Sequence, residues 1–449
     1  MEKLQISNQQ MMHSQQLRHM SSLLGFNSSR ACHVSNVVVE GTEHLRDSFI
    51  VAHLQPMIQA TNIRALIESV DAVNDTFKAS GAVKAVIISL DSMQNQSTTI
   101  NVVPKIKLVP VSRFMAKTGT NIGNGEGDGY ITFQWRNIFG GGEHLVLDAT
   151  TGTRTRSSYL LNYNTPLLES TQWRWDTAAY ATSRKIDWSS HEQVLKGVKT
   201  KAVKHENGLA HELSLQAVLR SVRPYTEASS AMLAHAGDDL KVSLGYDLSM
   251  DTRDDKVLPT KGWFLGLQNE LAGLTKFSTT HFIKQSLEAS YAATFNERDI
   301  LNLSLRSGWL YSMDQYSHIM DRFYLGGPND VRSFFYNGLG ARDTGDSLGG
   351  DVFISGGASA FTKFPFLSKE SGLKLHSFVN FGSLVPWDHD ESAKQLIKEL
   401  CQPSVGCGFG IVFKHPVARF ELNFVLPVVA HKHDAMRKGL QYGIGLQFM

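Results

Sequence analysis

The stretch Phe420-Glu421-Leu422-Asn423-Phe424-Val425-Leu426 sets large apolar side chains at every second position. In an extended chain successive side chains point to opposite faces, so Phe420, Leu422, Phe424 and Leu426 share one face and Glu421 and Asn423 the other. The same period of two recurs through the chain. Ile131, Phe133 and Trp135 interleave with Thr132, Gln134 and Arg136; Leu213, Leu215, Ala217 and Leu219 with Ser214 and Gln216. Leu301, Leu303, Leu305 and Trp309 oppose Asn302, Ser304 and Arg306, and Phe409, Ile411 and Phe413 repeat the pattern. Clusters of Gly, Pro, Asn and Asp separate these runs, as turns require.

From about Ser112 onward almost nothing but strands is expected. The roughly 337 residues that remain, at about 21 per strand and connection, make about sixteen strands. Strands of a soluble sandwich are shorter, typically about five to six residues. The polar faces here also carry Arg136, Arg306 and Glu421, which a dry protein core would not accept. An antiparallel transmembrane β-barrel of sixteen strands accounts for both facts.

Composition agrees. Charged residues are 19% of the 449, below the roughly 25% of an ordinary soluble domain, and aromatics reach 10%. Lys+Arg 44 against Asp+Glu 42 leaves a formal charge of +2, which excludes an electrostatic case for nucleic acid. Mean hydropathy is −0.18 and no run approaches the ~18 apolar residues of a membrane helix, while barrel strands average out near zero.

Residues 34–111 read differently. Val37-Val38-Val39 is a short strand, and Ile63, Leu66, Ile67, Val70 and Phe77 mark a helical face with Asn62 as its cap and Ser80-Gly81 as its stop. Two strands, Val83–Leu90 and Ile100–Val109, follow. A small α+β domain over 34–111 is expected to precede a barrel over 112–449, after a disordered polar leader over 1–33 that lacks an apolar signal segment. Residues 185–201 are charged and read as a strand with a long loop; residues 391–400 read as a short helix.

Sites of covalent chemistry are hard to find. Cys32, Cys401 and Cys407 make no disulfide framework and no zinc spacing. Gly123-Asn124-Gly125-Glu126-Gly127-Asp128-Gly129 resembles a phosphate cradle, but a strand rather than a helix follows it, so a hairpin turn is expected. His431 and His433 are a weak metal signal. No nucleophile elbow or paired-carboxylate spacing appears, and no cofactor, metal or enzymatic activity is expected.

The informative connection runs from Asp321 to Asp351, within a loop expected over 312–350. A connection of this length without periodicity is usually functional or disordered. Inside a polar lumen Arg332 loses solvation unless a carboxylate or carbonyl receives its guanidinium, so the loop reads as a plug or latch. Tyr324-Leu325-Gly326-Gly327, then Val331-Arg332-Ser333-Phe334, then Gly345-Asp346 and Leu348-Gly349-Gly350, resemble the lumenal sixth loop of the outer-membrane barrel-assembly superfamily. That family's loop carries Gly where Ser333 stands. Phe378-Val379-Asn380-Phe381-Gly382 is similar to its Phe-x-Asp-x-Gly strand, with Asn380 in place of the acid. The partner of Arg332 is therefore open between Glu421 and Asp351, with Glu421 ranked first because its alternation faces the lumen.

The resemblance is strongest to the mitochondrial branch of the family, built from one POTRA (polypeptide-transport-associated) domain and a barrel. It implies a protein that folds and inserts β-barrel precursors into the mitochondrial outer membrane. It also implies an N-terminal domain in the intermembrane space, accessory subunits on the cytosolic face and contact with membrane lipid. Insertion would use a lateral seam between the first and last strands, with Gly119, Asn121 and Gly123 on one side and Gln441, Gly443, Leu446 and Phe448 on the other. Gln441-x-Gly443-x-x-Leu446-x-Phe448 fits the terminal signal of client barrels. A passive porin-like channel explains the alternation but leaves the N-terminal domain and the Gly-rich loop without a role.

Overall fold

The computed structural model describes residues 27–448 except 94–98, 124–125, 168–169, 171, 207, 297–298, 365–370, 389–391, 417 and 446–447. The leader expected over 1–33 lies mostly outside the described residues, but its last residues do not. Cys32–Val34 form strand β1, paired in parallel with residues 100–102.

Strand β2 (Val38–Glu40) and helices α1 (Asp47–Ile58) and α2 (Ile63–Ser80) follow, then strands β3 (Val83–Met93) and β4 (Ile100–Pro110). Strand β4 is central: β1 and β2 pair with successive parts of it in parallel, and β3 pairs antiparallel. Helix α2 starts where Asn62 accepts a hydrogen bond from Ala65 N at 2.8 Å and stops at Gly81, whose φ of 70° is left-handed. Its face of Leu66, Val73 and Phe77 meets Phe49 and Met57 of α1 over Ile106 and Leu108 of the sheet. This apolar core makes a small α+β domain.

Sixteen strands then run in antiparallel succession. They are β5 (Phe114–Gly123), β6 (Glu126–Arg136), β7 (His144–Gly152), β8 (Thr155–Pro166), β9 (Trp173–Ile186), β10 (His191–Glu206), β11 (Leu209–Pro224) and β12 (Gly237–Asp251). After these come β13 (Gly262–Ala272), β14 (Phe282–Thr294) and β15 (Asp299–Ser312). A long connection holding the two-residue strands β16 (Arg342–Asp343) and β17 (Asp346–Ser347) precedes β18 (Val352–Lys363) and β19 (Leu373–Val385). The last three are β20 (Ser404–Lys414), β21 (Arg419–Val429) and β22 (Gly439–Gly445). Strand order follows chain order from β5 to β22, with β15 next to β18, and among the described residues no ladder joins β22 to β5. Short helices α3 (Ser230–Leu233) and α4 (Ala393–Leu400) sit in connections, α4 on the stretch expected to be helical.

The ordinary burial rule is inverted on these strands. Phe424 is 48% exposed while Glu421, three residues away on the same strand, is 3% exposed. Outward apolar faces and inward polar faces are what a lipid-embedded barrel requires, since every backbone group must also be paired internally. Among the described residues no helix is long and apolar enough to cross a membrane.

One expectation needs correction. Residues 185–201 are not a strand with a long loop: β9 ends at Ile186, a single 3-10 turn covers 187–189, and β10 runs from His191 to Glu206. Lys199 and Lys201 are accommodated because both reach Glu212 of β11, at 3.6 and 3.1 Å.

The chain divides into two compact units. The first holds the residues up to Ala116 with Phe133–Val146 and Tyr163–Arg174; the second holds the rest. Strand β4 ends at Pro110 and β5 begins at Phe114, on either side of the expected junction at 111–112. Inside the first unit the turn Asn137–Glu143 is fastened to residues 44–46. Arg46 pairs with Glu143 at 2.6 Å, Asn137 Nδ2 donates to His44 O at 2.7 Å and Arg46 N donates to Gly140 O at 2.8 Å.

Candidate functional site

The loop between β15 and β18 turns sharply because Gly326 and Gly327 have φ of 107° and 129°. Gly326 N donates to Asp330 Oδ2 at 2.8 Å and Asp330 N to Gly327 O at 3.2 Å, which closes the turn. The tip that follows is wholly buried: Val331, Arg332, Ser333 and Phe334 are each 0% exposed. Leu325, Val331, Phe334 and Leu339 pack with Phe353 of β18 and Leu384 of β19, and that apolar cluster carries the tip to the wall.

The guanidinium of Arg332 there meets Glu421 of β21 through a fork. Nε donates to Oε2 at 3.0 Å and Nη2 to Oε1 at 3.1 Å. Nη1 donates to Asn380 Oδ1 of β19 at 3.2 Å, and the Phe378 ring lies 4.8 Å from the guanidinium carbon. Asn380, which stands where the resembling family has an acid, thus keeps an acceptor in place without a second charge. Two planar hydrogen bonds to an ionised acceptor make the strong, oriented kind of pair.

Glu421 is shared. Arg419, two residues earlier and on the same inward face, also pairs with it, and Asn423 Nδ2 donates to its Oε2 at 2.7 Å. His376 of β19 sits 3.0 Å from Asn423 Oδ1 and 3.2 Å from Ser359 Oγ, stacked between Phe361 and Phe378. Arg419, Asn423 and His376 escape a reading by motif. The only sequence signal for them is the alternation that puts each on a polar inward face.

Ser333 occupies the family's glycine position with φ of 76°. A left-handed backbone costs a side chain about 1–2 kcal/mol, and its buried hydroxyl finds no hydrogen-bond partner. Gly406 of β20 makes room for it: a Cβ there would lie 2.6 Å from Arg332 O. On its other side Ser333 N donates to Gln441 Oε1 and Gln441 Nε2 to Phe334 O, both at 3.2 Å, so the last strand grips the tip.

Other expected site residues lie elsewhere. Asp351, the second candidate partner of Arg332, accepts from Trp387 N at 2.9 Å and does not reach the guanidinium. It directly precedes β18, its main chain held by Leu310 N, which donates to its carbonyl at 2.8 Å, and by Val385 O, which accepts from its N–H at 3.0 Å. Asp346 accepts from Ser190 Oγ at 2.5 Å and Ser229 N at 2.8 Å. Gly349 turns with φ of 68°, and Gly350 is backed by the Leu384 side chain.

Of the seam residues, Gly119, Asn121 and Gly123 lie on β5 and Gln441 and Gly443 on β22, the two ends of the strand order. A Cβ at Gly119 would meet the Tyr130 hydroxyl at 2.8 Å, so that glycine serves packing. Leu446 is outside the described residues. Phe448 leaves the ladder and turns inward, its ring 4.6 Å from the Arg419 guanidinium and 5.7 Å from that of Arg332. A polar cavity of 370 Å³ lies beside it, lined among others by Arg306, Asp330, Asn329 and Arg419. His431, flagged as a weak metal signal, is bonded to Gln402 O at 2.6 Å, and no metal-holding group of His, Cys, Asp or Glu occurs among the described residues.

Comparison with known proteins follows the same lines. A model described as the Omp85 superfamily domain matches residues 137–448. The SAM50-like protein of Schizosaccharomyces pombe is 32% identical, covering 96% of this chain and 94% of its own. The sorting assembly machinery 50 kDa subunit of Saccharomyces cerevisiae is 31% identical over 93% of this chain and 94% of its own. The sorting and assembly machinery component 50 homolog of Homo sapiens is 26% identical over 93% and 90%. BamA from Haemophilus ducreyi lacking POTRA domains 1–3 superposes with a TM-score of 0.74 over 92% of this chain and 84% of that one, at 13% identity. That last likeness is one of fold.

Proposed function

The chain belongs to the Omp85 superfamily, in the branch of the sorting and assembly machinery 50 kDa subunits, and from that premise we propose that it inserts β-barrel precursors into the mitochondrial outer membrane. Its POTRA domain faces the intermembrane space, and accessory subunits dock on the cytosolic face. Precursor strands enter at a seam between β5 and β22. An open strand edge presents unpaired N–H and C=O groups that in lipid must find a partner, and a client strand supplies them. The step exchanges hydrogen bonds and needs no covalent chemistry.

The observation that carries this reading is the grip of the loop tip on the last hairpin. Arg332 is forked onto Glu421 of β21 while Ser333 and Phe334 hold Gln441 of β22. A loop that only narrowed a pore would not need to hold the strand that must open.

The test is site-specific crosslinking of an arrested barrel precursor to cysteines placed along 118–123 and 440–445. Adducts on both strands support entry at the seam. Adducts only at lumen-facing positions of other strands would replace it with passage through the lumen.

A further inference from the structure

The loop is also held far from its tip, by Asp321 near its root. Asp321 is 3% exposed, and three cations from three strands converge on it. Arg220 of β11 donates from Nη1 to its carboxylate at 2.7 Å, Lys241 of β12 approaches the same oxygen at 3.4 Å, and Lys284 of β14 donates to its main-chain carbonyl at 2.6 Å. Arg220, 2% exposed, uses Nε for Asp239 at 2.8 Å, and Lys241 also reaches Glu270 at 2.9 Å. Three cations face three carboxylates here, so the group is closed in charge and has no demand for a charged ligand.

The two ends of the loop differ. If Arg332 withdraws, Glu421 keeps Arg419 and Asn423, and no buried charge is left alone. If Asp321 withdraws, the buried Arg220 and the half-buried Lys241 and Lys284 are left with two carboxylates, an imbalance that is penalised most at the buried guanidinium. The returning limb is tied on the same side as the root: Ser189 Oγ donates to Ser347 O at 2.6 Å, Asp346 receives Ser190 and Ser229, and Asp343 receives Ser230 Oγ at 3.1 Å. The tip, by contrast, is sewn to the turn between β21 and β22, with Phe335 N to Ala435 O at 2.9 Å, Ala435 N to Gly338 O at 2.8 Å and Arg437 N to Ser333 O at 2.9 Å.

We propose that Asp321 is a positioning residue, the fixed end of a strap by which the loop holds the β21–β22 hairpin against the β11–β14 wall. The strap sets where Arg332 lands on Glu421 and, through the tip, how far the last hairpin can move. Only the consequence for insertion rests on the function proposed above.

Amide hydrogen exchange on the full chain in lipid nanodiscs tests this. In Asp321→Asn the amides of 331–338 and 431–438 should exchange faster by about ten- to a hundredfold, the loss of one charge-assisted bond. Arg220→Lys, which keeps the charge but loses the planar guanidinium that bonds Asp321 and Asp239 together, should fall between Asp321→Asn and the unaltered chain. A merely local role would speed exchange only around 316–324 and leave the tip and last turn unchanged, and that result overturns the proposal. Retained heat-modifiability on a gel checks that the barrel is folded; should Asp321→Asn fail it, Arg220→Lys decides by the same criterion. Faster exchange at the tip with client insertion at its normal rate would uphold the strap and instead overturn the loop's part in insertion.

Discussion

Arg332 and Glu421 meet as a closed fork, with two hydrogen bonds of 3.0 and 3.1 Å between groups that are 0% and 3% exposed. Eighty-nine residues separate them in the chain, and the register of β21 rather than any local motif brings them together.

Replacing Arg332 by Ala should leave an assembled barrel, because Arg419 keeps Glu421 paired. The tip loses about 2 kcal/mol of charge-assisted bonding, so client insertion should slow by at least about tenfold. Arg332→Lys should rescue part of it, since an ammonium cannot make the bidentate contact. Insertion assayed in isolated mitochondria at matched protein abundance measures both. A normal rate in the Ala variant removes the latch.

Ser333→Gly should tighten the tip. It removes the left-handed penalty and a buried hydroxyl without a partner, a gain of about 1 kcal/mol after glycine's own entropy cost. Gly406→Ala should do the opposite, because its Cβ would press on the Arg332 carbonyl. Exchange protection of residues 331–338 reads both changes. Looser packing in Ser333→Gly would mean that the Ser333 side chain against Gly406 holds the tip.

His53 makes the N-terminal α+β domain sensitive to acid. Burial between the rings of Phe49 and Phe77 pushes its pKa below the ordinary histidine value, and its Nδ1 bonds the Phe49 carbonyl at 2.9 Å. The unfolded domain therefore binds a proton more readily than the folded one. Its stability is greatest above the ordinary value of about 6.5 and is lost as pH falls through that value toward the folded one. Exchange of α1 and α2 between pH 7.5 and 5, corrected for intrinsic rates, should show this loss. His53→Gln should flatten it; an equally steep profile in that variant assigns the effect to another group.

Much of this architecture is legible in the sequence because alternation writes it directly. Phe420, Leu422 and Phe424 announce which face meets lipid, and that alone points Glu421 at the lumen. Asn62 and Gly81 bound α2 through local chemistry that needs no tertiary context. Strand β1 is different: three residues, Cys32–Val34, are too few to show a period, and only β4 makes them a strand. Arg46 and Glu143, 97 residues apart, and Arg220 and Asp321, 101 apart, meet through long-range folding. Asp351 lies near the loop motif in sequence but its carboxylate receives Trp387 N, and nearness in sequence does not place a carboxylate at the guanidinium.

Deleting residues 34–110 should leave a barrel in the membrane while client handover suffers. The deletion uncovers the turn Asn137–Glu143, whose buried Glu143 carboxylate keeps its main-chain donors at Phe139 N and Gly141 N but loses Arg46. Arg46→Ala is the milder version and should raise exchange in 137–143 without removing the domain. A deletion that abolishes membrane insertion would place part of the barrel's folding information before residue 111.

Locking the seam tests the strand-exchange step itself. Strands β5 and β22 end the strand order, and no ladder joins them among the described residues. A cysteine near Asn121 and another near Gly443, in a chain whose Cys32, Cys401 and Cys407 are replaced by serine, would bridge them where their Cα atoms come within about 7 Å. Bridge formation on oxidation, read as a gel shift, establishes that the strands meet. In the bridged protein β22 cannot trade its partner for a client strand, so insertion should stop and a reductant should restore it. The N-terminal domain and the loop are untouched, so a precursor should still bind while failing to insert. Insertion at the normal rate through a bridged seam would exclude exchange between β5 and β22, and the 370 Å³ lumenal cavity beside Arg419 would then be the place to look for the client's route.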